Sequence, residues 1–249
     1  MTLVSRVEKK CRKWVARRCS RRLVVQFGER PIVSVGFDDF PRSALVAGGA
    51  VLDELGVRGT YYAAMGLMGR NTSVGEIFRA DDLPPLVAAG HELACHTFGH
   101  VLSSTVSGNE MEEQCARNRR AVAEVLEGYT LHSFSFPGGD VTLRGKEAVA
   151  RSYESCRTSD QGINYGVIDL CYLYGIPVYS RVPLSRIEEF LAENARRKGW
   201  AILYTHDVGP KPSPFGCTSQ FLREVLRMAI ESGADVLTVH DAVSRMRPV

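Results

Sequence analysis

The feature that most constrains this chain is an alternation of β-branched runs with amphipathic segments, beginning at residue 31 and continuing to its end. PIVSVGFDDF (31–40), GTYYAAMG (59–66), HELACH (91–96), SFSFPGG (133–139), ESCRTS (154–159), PVYSRVPL (177–184) and WAILYTHD (200–207) read as strands. Between them, 43–56, 81–90, 109–128, 143–153, 185–199 and 220–232 read as helices, and ADVLTVHDA (234–242) completes the chain. Gly56 and Gly128 stop two of the helices, and the 109–128 segment carries acids early and bases late, as the helix dipole favours. Strands that alternate with helices pair in parallel through right-handed crossovers. The expected fold is therefore α/β, with about seven parallel strands covered by helices and the sheet either closed as a barrel or open.

The 249 residues, 45% hydrophobic and 24% charged, suffice for a core without disulfides. No apolar run approaches the roughly 18 residues of a membrane span, and the first residues lack the apolar stretch of a signal peptide. The seven cysteines are scattered, with no Cys-x-x-Cys pair, which favours free thiols and a cytoplasmic setting. Charge is uneven. Residues 1–30 carry ten basic and two acidic side chains, a net +8, whereas the remainder carries 21 basic and 26 acidic, a net −5. The expected organisation is a basic, helical N-terminal extension (1–30) and a single domain (31–249).

Leu3, Val4, Val7, Cys11, Trp14, Val15 and Cys19 fall near helical spacing within that extension. Two readings follow: peripheral contact of residues 1–22 with an anionic membrane at its cytoplasmic face, or a helix packed on the outer wall of the domain. Nucleic acid is not an expected partner, because the domain itself is mildly acidic.

Polar residues collect at the strand ends: Asp38 and Asp39 after the first strand, His96 after the third, Pro137-Gly138-Gly139-Asp140 after the fourth, His206 and Asp207 late in the chain. In parallel α/β folds the carboxyl ends of strands share one mouth, where chemistry gathers. A bare His-x-x-x-His such as HTFGH (96–100) also arises from two polar residues on one turn; the shared strand end is what lifts it above that reading. A carboxylate with two imidazoles suits a catalytic divalent ion, because coordination positions stay open.

These residues resemble a known family. VGFDDF is similar to the first motif of the polysaccharide deacetylases (carbohydrate esterase family 4, the NodB-homology domain), and HTFGH to their His-Ser/Thr-x-x-His motif. FSFPGG (134–139) and LYTH (203–206) follow in the family's order, so the resemblance runs from about residue 31 to 243. It implies a distorted (β/α) barrel, with Asp38 as general base and Asp39, His96 and His100 holding one divalent ion, Zn²⁺ first and Co²⁺, Ni²⁺, Fe²⁺ or Mn²⁺ as alternatives. It further implies that Pro137 and Gly138 line the oxyanion position and that His206 protonates the leaving amine. The implied reaction is removal of a small acyl group, acetyl first, from an N-acylated sugar, soluble or lipid-linked. A deformylase, another small amidohydrolase of the same fold, and a non-catalytic sugar-binding relative remain alternatives.

Departures are informative. Ser135 stands where many members have the arginine that pairs with the catalytic aspartate; Arg157 is a candidate substitute, although an arginine bonded to loop carbonyls or solvent is the favoured reading of that position. Gly138 replaces the usual aromatic, removing a wall of the sugar groove, so the substrate is expected to differ from chitin fragments. The family's Asp- and Trp-containing fourth motif has no clear match, Asp160 being the nearest, so the support of His206 is unplaced. Cys95 is expected to point away from the mouth, and His91, His132 and His240 to be surface or satisfied residues without matching partners. The Pro- and Gly-bearing segment 208–216 is expected to lie over the mouth.

Overall fold

The computed structural model describes residues 3–26 and 28–249, with side chains from residue 10 onward, so the side chains of Leu3, Val4 and Val7 in the expected apolar stripe are outside what is described. In chain order the elements are α1 (Leu3–Arg18), β1 (Leu23–Gln26), β2 (Ile32–Phe37), α2 (Gly49–Glu54), β3 (Thr60–Ala63), β4 (Asn71–Thr72), β5 (Gly75–Glu76) and α3 (Leu83–Ala88). There follow β6 (Glu92–Cys95), α4 (Gly108–Ala123), β7 (Ser133–Ser135), α5 (Leu143–Ala150), β8 (Ser155–Gln161), β9 (Val167–Asp169) and β10 (Leu173–Pro177). The last are α6 (Leu184–Arg197), β11 (Trp200–Thr205), α7 (Ser219–Glu231), β12 (Asp235–Val236), α8 (Val239–Val243) and β13 (Met246–Pro248).

Seven strands form a closed parallel barrel in the order β2-β3-β6-β7-β8-β10-β11, with β11 returning to pair along the whole of β2. The other edge of β2 is shared, its start pairing with β12 and its end with β3. That split distorts the barrel. Beside it, β1 pairs antiparallel with both β9 and β13 in a three-stranded sheet.

Two-residue periodicity sorts the barrel side chains. Val33, Val35 and Phe37 face outward into the main core, where Val51 and Leu52 of α2 also lie. Ile32 faces inward, packing with Trp200, Ile202 and Leu173, while Val239 and Ala242 of α8 plug the barrel's N-terminal end. Ser34 accepts the Trp200 indole N–H at 3.0 Å, which satisfies that donor inside the barrel. Cys95 faces outward with Cys115, as its alternation predicts. All seven cysteines are free thiols.

Two strand expectations shift. Residues 177–184 do not form a strand; β10 occupies Leu173–Pro177, and the Val182 N–H turns back to the Tyr179 carbonyl at 2.8 Å. The segment 234–242 becomes a two-residue strand and then α8, because the Thr238 hydroxyl accepts the Asp241 N–H and caps a helix start. Side-chain capping there overrides the β preference of Thr238 and Val239.

One face of α1 packs on the barrel wall at α5, with Ala16 fully buried. Lys146 of α5, also fully buried, donates to the Ala16 and Cys19 carbonyls at 2.9 Å each and to Asp169 Oδ2 at 2.6 Å. One ammonium thus closes the C-terminus of α1 onto both α5 and the β1–β9 sheet. Lys146→Ala strips the partner from a largely buried carboxylate and from two helix-end carbonyls, and is expected to lower unfolding stability by about 3 kcal/mol. Urea denaturation measures it; a loss below about 1 kcal/mol contradicts this role.

Candidate active site

The inward series of β2 runs 32, 34, 36, and Asp38 is its next member, at the C-terminal mouth of the barrel. Its N–H donates to the Thr205 carbonyl of β11 at 2.9 Å, so the backbone is still strand-like there. Immediately afterwards the chain leaves the strand: Asp39 and Phe40 have φ of 60° and 51°. His96 ends the inward series of β6, and Thr97 and His100 in the loop beyond it have φ of 60° and 53°. Such left-handed conformations cost an ordinary residue about 1–2 kcal/mol each, and such strain clusters at functional sites.

Those turns bring the sequence-predicted residues together. His100 Nε2 and His96 Nε2 lie 3.0 and 3.4 Å from Asp39 Oδ1, and His206 Nε2 lies 4.0 Å from Asp39 Oδ2. Asp39 Oδ1 is buried yet has no hydrogen bond of proper geometry, despite those two nitrogens beside it. His96 Nδ1 lies 2.8 Å from the Ser135 carbonyl, so that nitrogen carries the proton and Nε2 presents its lone pair to the cluster. An unpaired carboxylate oxygen facing two imidazole nitrogens, with the three donor atoms within 4.8 Å of one another, fits a divalent ion. Burial would raise the Asp39 carboxyl, but His100 and His96 outweigh it and hold it far below the usual range. Burial would lower the His100 imidazole, and Asp39 raises it instead.

Asp38 has a separate partner. Arg157, 1% exposed and projecting into the barrel from β8, forms a close ion pair with Asp38 Oδ1 through Nη2. The same nitrogen donates to Ser135 Oγ at 2.7 Å, and Nη1 donates to the Thr158 carbonyl at 3.1 Å. The guanidinium carbon lies 4.4 Å from the Tyr204 ring centroid and 5.1 Å from that of Tyr62. Ser135 and Arg157 are register partners on adjacent strands. The arginine missing at 135 is thus replaced from the neighbouring strand at the same height. Burial acts to raise the Asp38 carboxyl, and Arg157, followed by His96 and His206, overcomes it, leaving a net downward shift.

Gly138 lines the same cavity, in a short 3-10 turn that buried Pro137 opens. N–H groups in such a first turn have no partner within the helix, so the Gly138 amide is an available donor. Its φ of 60° disfavours the aromatic that the family places there, and a Cβ at Gly139 would stand 1.7 Å from Ser159 Oγ. His206 Nδ1 lies 3.2 Å from the Phe215 carbonyl, so a main-chain oxygen in the 208–216 loop orients the ring where an acidic side chain was sought. Asp160 is engaged elsewhere, with Lys13 and the Tyr172 hydroxyl. Asp207 ties that loop down through Ser213, and Phe215 of the segment lines the cavity at the mouth.

Sequence reasoning missed Tyr179, which meets Phe215 edge-on at 5.9 Å and stands 6.1 Å from His206, forming an aromatic wall of a cavity of about 530 Å³. Its place in an expected strand concealed it. His91 is satisfied, accepting the Gly59 N–H at 3.1 Å. His132 and His240 are also satisfied, near the surface: they stack on each other and share Glu154.

A closed parallel barrel with carboxylates and imidazoles gathered at its C-terminal mouth is an α/β barrel of the kind that carries its chemistry at that face. The family model for polysaccharide deacetylase matches residues 27–154, just over half of the chain, and the chain belongs to that family. The family comprises hydrolases acting on acetylated sugars. Among solved structures, a family 4 acetyl xylan esterase from Clostridium thermocellum in complex with a cobalt ion is 19% identical, with a TM-score of 0.59 over 86% of this chain and 90% of that one. The Xyl-CE4 domain of a multidomain xylanase from the hindgut metagenome of Trinervitermes trinervoides is 18% identical, with a TM-score of 0.57 over 87% and 91%. A family 4 pseudoenzyme from Bacillus anthracis is 14% identical, with a TM-score of 0.55 over 88% and 68%. At these identities the likeness is one of fold. No curated protein gives a significant sequence match.

Proposed function

We propose that this chain is a metal-dependent carbohydrate deacylase that removes an N-acetyl or similarly small acyl group from an amino sugar. The observation that carries the reading is the convergence of Asp38, Asp39, His96, His100 and His206 on one cavity, with the base paired to Arg157 despite the loss of the family arginine. Asp39, His96 and His100 would hold the ion, Zn²⁺ being favoured by two imidazoles and one carboxylate and Co²⁺, Ni²⁺, Fe²⁺ or Mn²⁺ being accommodated by the same donors. When bound, such an ion supplies Lewis acidity toward an acyl oxygen and toward water.

The chain's own residues do the rest. Asp38, kept ionised by Arg157, accepts a proton from the attacking water. The Gly138 N–H donates to the oxyanion that develops on the acyl carbon. His206, with Nδ1 fixed by the Phe215 carbonyl, delivers a proton from Nε2 to the departing amine, which as an anion would leave poorly. Tyr179 and Phe215 supply the apolar face for a sugar ring in place of the aromatic lost at 138.

Residues 31–249 form the catalytic unit in this reading, and within the basic N-terminal extension (1–30) residues 1–22 make contact with an anionic membrane at its cytoplasmic face. Support for the membrane contact comes from the outer face of α1, where Trp14 is 58% exposed and Val15 37% exposed amid basic side chains. Among the described residues no helix is long and apolar enough to cross a membrane.

Two experiments test these readings. Zn²⁺-reconstituted protein is expected to release acetate or formate from a panel of N-acylated sugars, soluble and lipid-linked, with a loss of at least about 10³-fold in Asp38→Asn. Equal release by both proteins contradicts the assignment of Asp38, and no release from metal-loaded protein favours a non-catalytic sugar-binding role. In flotation with anionic liposomes, Trp14→Ser is expected to bind several-fold less than the parent chain; equal binding removes the membrane contact.

A further inference from the structure

The described residues hold one other cluster of imidazole and carboxylate groups, at the opposite end of the barrel from the mouth. His132 immediately precedes β7, Glu154 immediately precedes β8, and His240 lies in the first turn of α8, the helix that plugs the N-terminal end. His132 Nδ1 stands 3.0 Å from Glu154 Oε1, and His240 Nδ1 stands 3.0 Å from Glu154 Oε2. The two imidazole rings are stacked, with centroids 3.8 Å apart and planes 20° from parallel.

These side chains are between a third and just under a half exposed, so an ion has access to them from solvent. Exposed pairs of this kind contribute only about 0–1 kcal/mol, less than the entropy of holding three side chains face to face. Their backbones, by contrast, are firmly placed. The Glu154 N–H donates to the His132 carbonyl at 2.8 Å. The His240 N–H donates at 3.0 Å to Glu92, a buried carboxyl that also accepts from Thr60 Oγ1 at 2.8 Å and keeps its other oxygen unpartnered. His132 and Glu154 border a cavity of about 670 Å³, larger than the one at the mouth, walled by Leu23, Leu131, Leu170 and Met246.

We propose that His132, Glu154 and His240 form a second divalent-metal site, distinct from the cluster at the mouth, that takes Zn²⁺ and ties α8 to the starts of β7 and β8. Two imidazoles and one carboxylate are the donor set this ion favours, and coordination positions remain for water on the exposed side. The three donor atoms lie within 4.8 Å of one another, so small side-chain shifts bring them to the bonds of about 2.0–2.2 Å that Zn²⁺ takes. Occupied, the site staples the end of the chain to the barrel floor.

Zn²⁺ stoichiometry after chelator competition tests this without reference to activity. The parent chain is expected to retain two equivalents, His132→Gln and His240→Gln one each, and Asp39→Asn one. A single equivalent in the parent, lost in Asp39→Asn, overturns the proposal, as do two equivalents retained by both histidine variants. Should the histidine variants not fold, Co²⁺ added to the parent chain is expected to shift the ring-proton resonances of His132 and His240. Unshifted resonances at two equivalents overturn it equally.

Discussion

A buried ion pair, Asp38 with Arg157, joins two strands that are not neighbours in the barrel and sets the level at which the interior ends and the mouth begins. Removing both charges from water costs several kcal/mol per ion, and further contacts offset part of that cost, although the buried Arg157 Nε has no hydrogen-bond partner. Ser135 Oγ and the Thr158 carbonyl take two further donors, and Tyr204 and Tyr62 supply aromatic faces to the guanidinium. Register explains why the arginine tolerates relocation. Positions 135 and 157 lie side by side on β7 and β8, both pointing inward, so a guanidinium from either strand reaches the same carboxylate.

With Asp38 fixed in this way, its neighbour Asp39 must turn out of the strand to face a different set of groups, and the left-handed backbone at Asp39 and Phe40 does so. The cost is met locally: the Phe40 carbonyl accepts the Phe78 N–H at 3.1 Å, and the Phe40 ring stacks on Phe78 at 4.7 Å. The second strained loop is braced alike. Thr97 Oγ1 accepts the Val101 N–H at 3.0 Å, and Gln114 of α4 accepts the Gly99 N–H at 2.8 Å. Donor atoms held by braced backbone are pre-organised, and the two adjacent aspartates acquire different environments.

Much of this was legible in the chain because it rests on local signals. Strand–helix alternation announces parallel pairing, and VGFDDF and HTFGH place their polar residues at strand ends where parallel strands open. What escaped depends on partners distant in sequence or on the main chain. Arg157 was a candidate for Asp38, but 119 residues separate the two, and a strand arginine is equally able to bond loop carbonyls. The support of His206 was sought as an acidic side chain, whereas a backbone carbonyl at Phe215 has no sequence signature. Tyr179 hid in a β-branched run that turns back on itself, and the His132–Glu154–His240 cluster required knowing that α8 returns beneath the barrel.

The central claim, that Arg157 holds the base ionised, is tested most directly by ¹³C-detected titration of the Asp38 carboxyl in metal-free protein, beside Arg157→Met. Burial alone raises this carboxyl, and the guanidinium, with His96 and His206, overcomes it, so the midpoint is expected below the ordinary value of about 3.9 in the parent chain and to rise in the variant. The corresponding contribution of Asp38 to stability is present above about pH 3.9 in the parent and disappears as pH falls through the lowered midpoint. A midpoint unchanged by Arg157→Met would contradict the account.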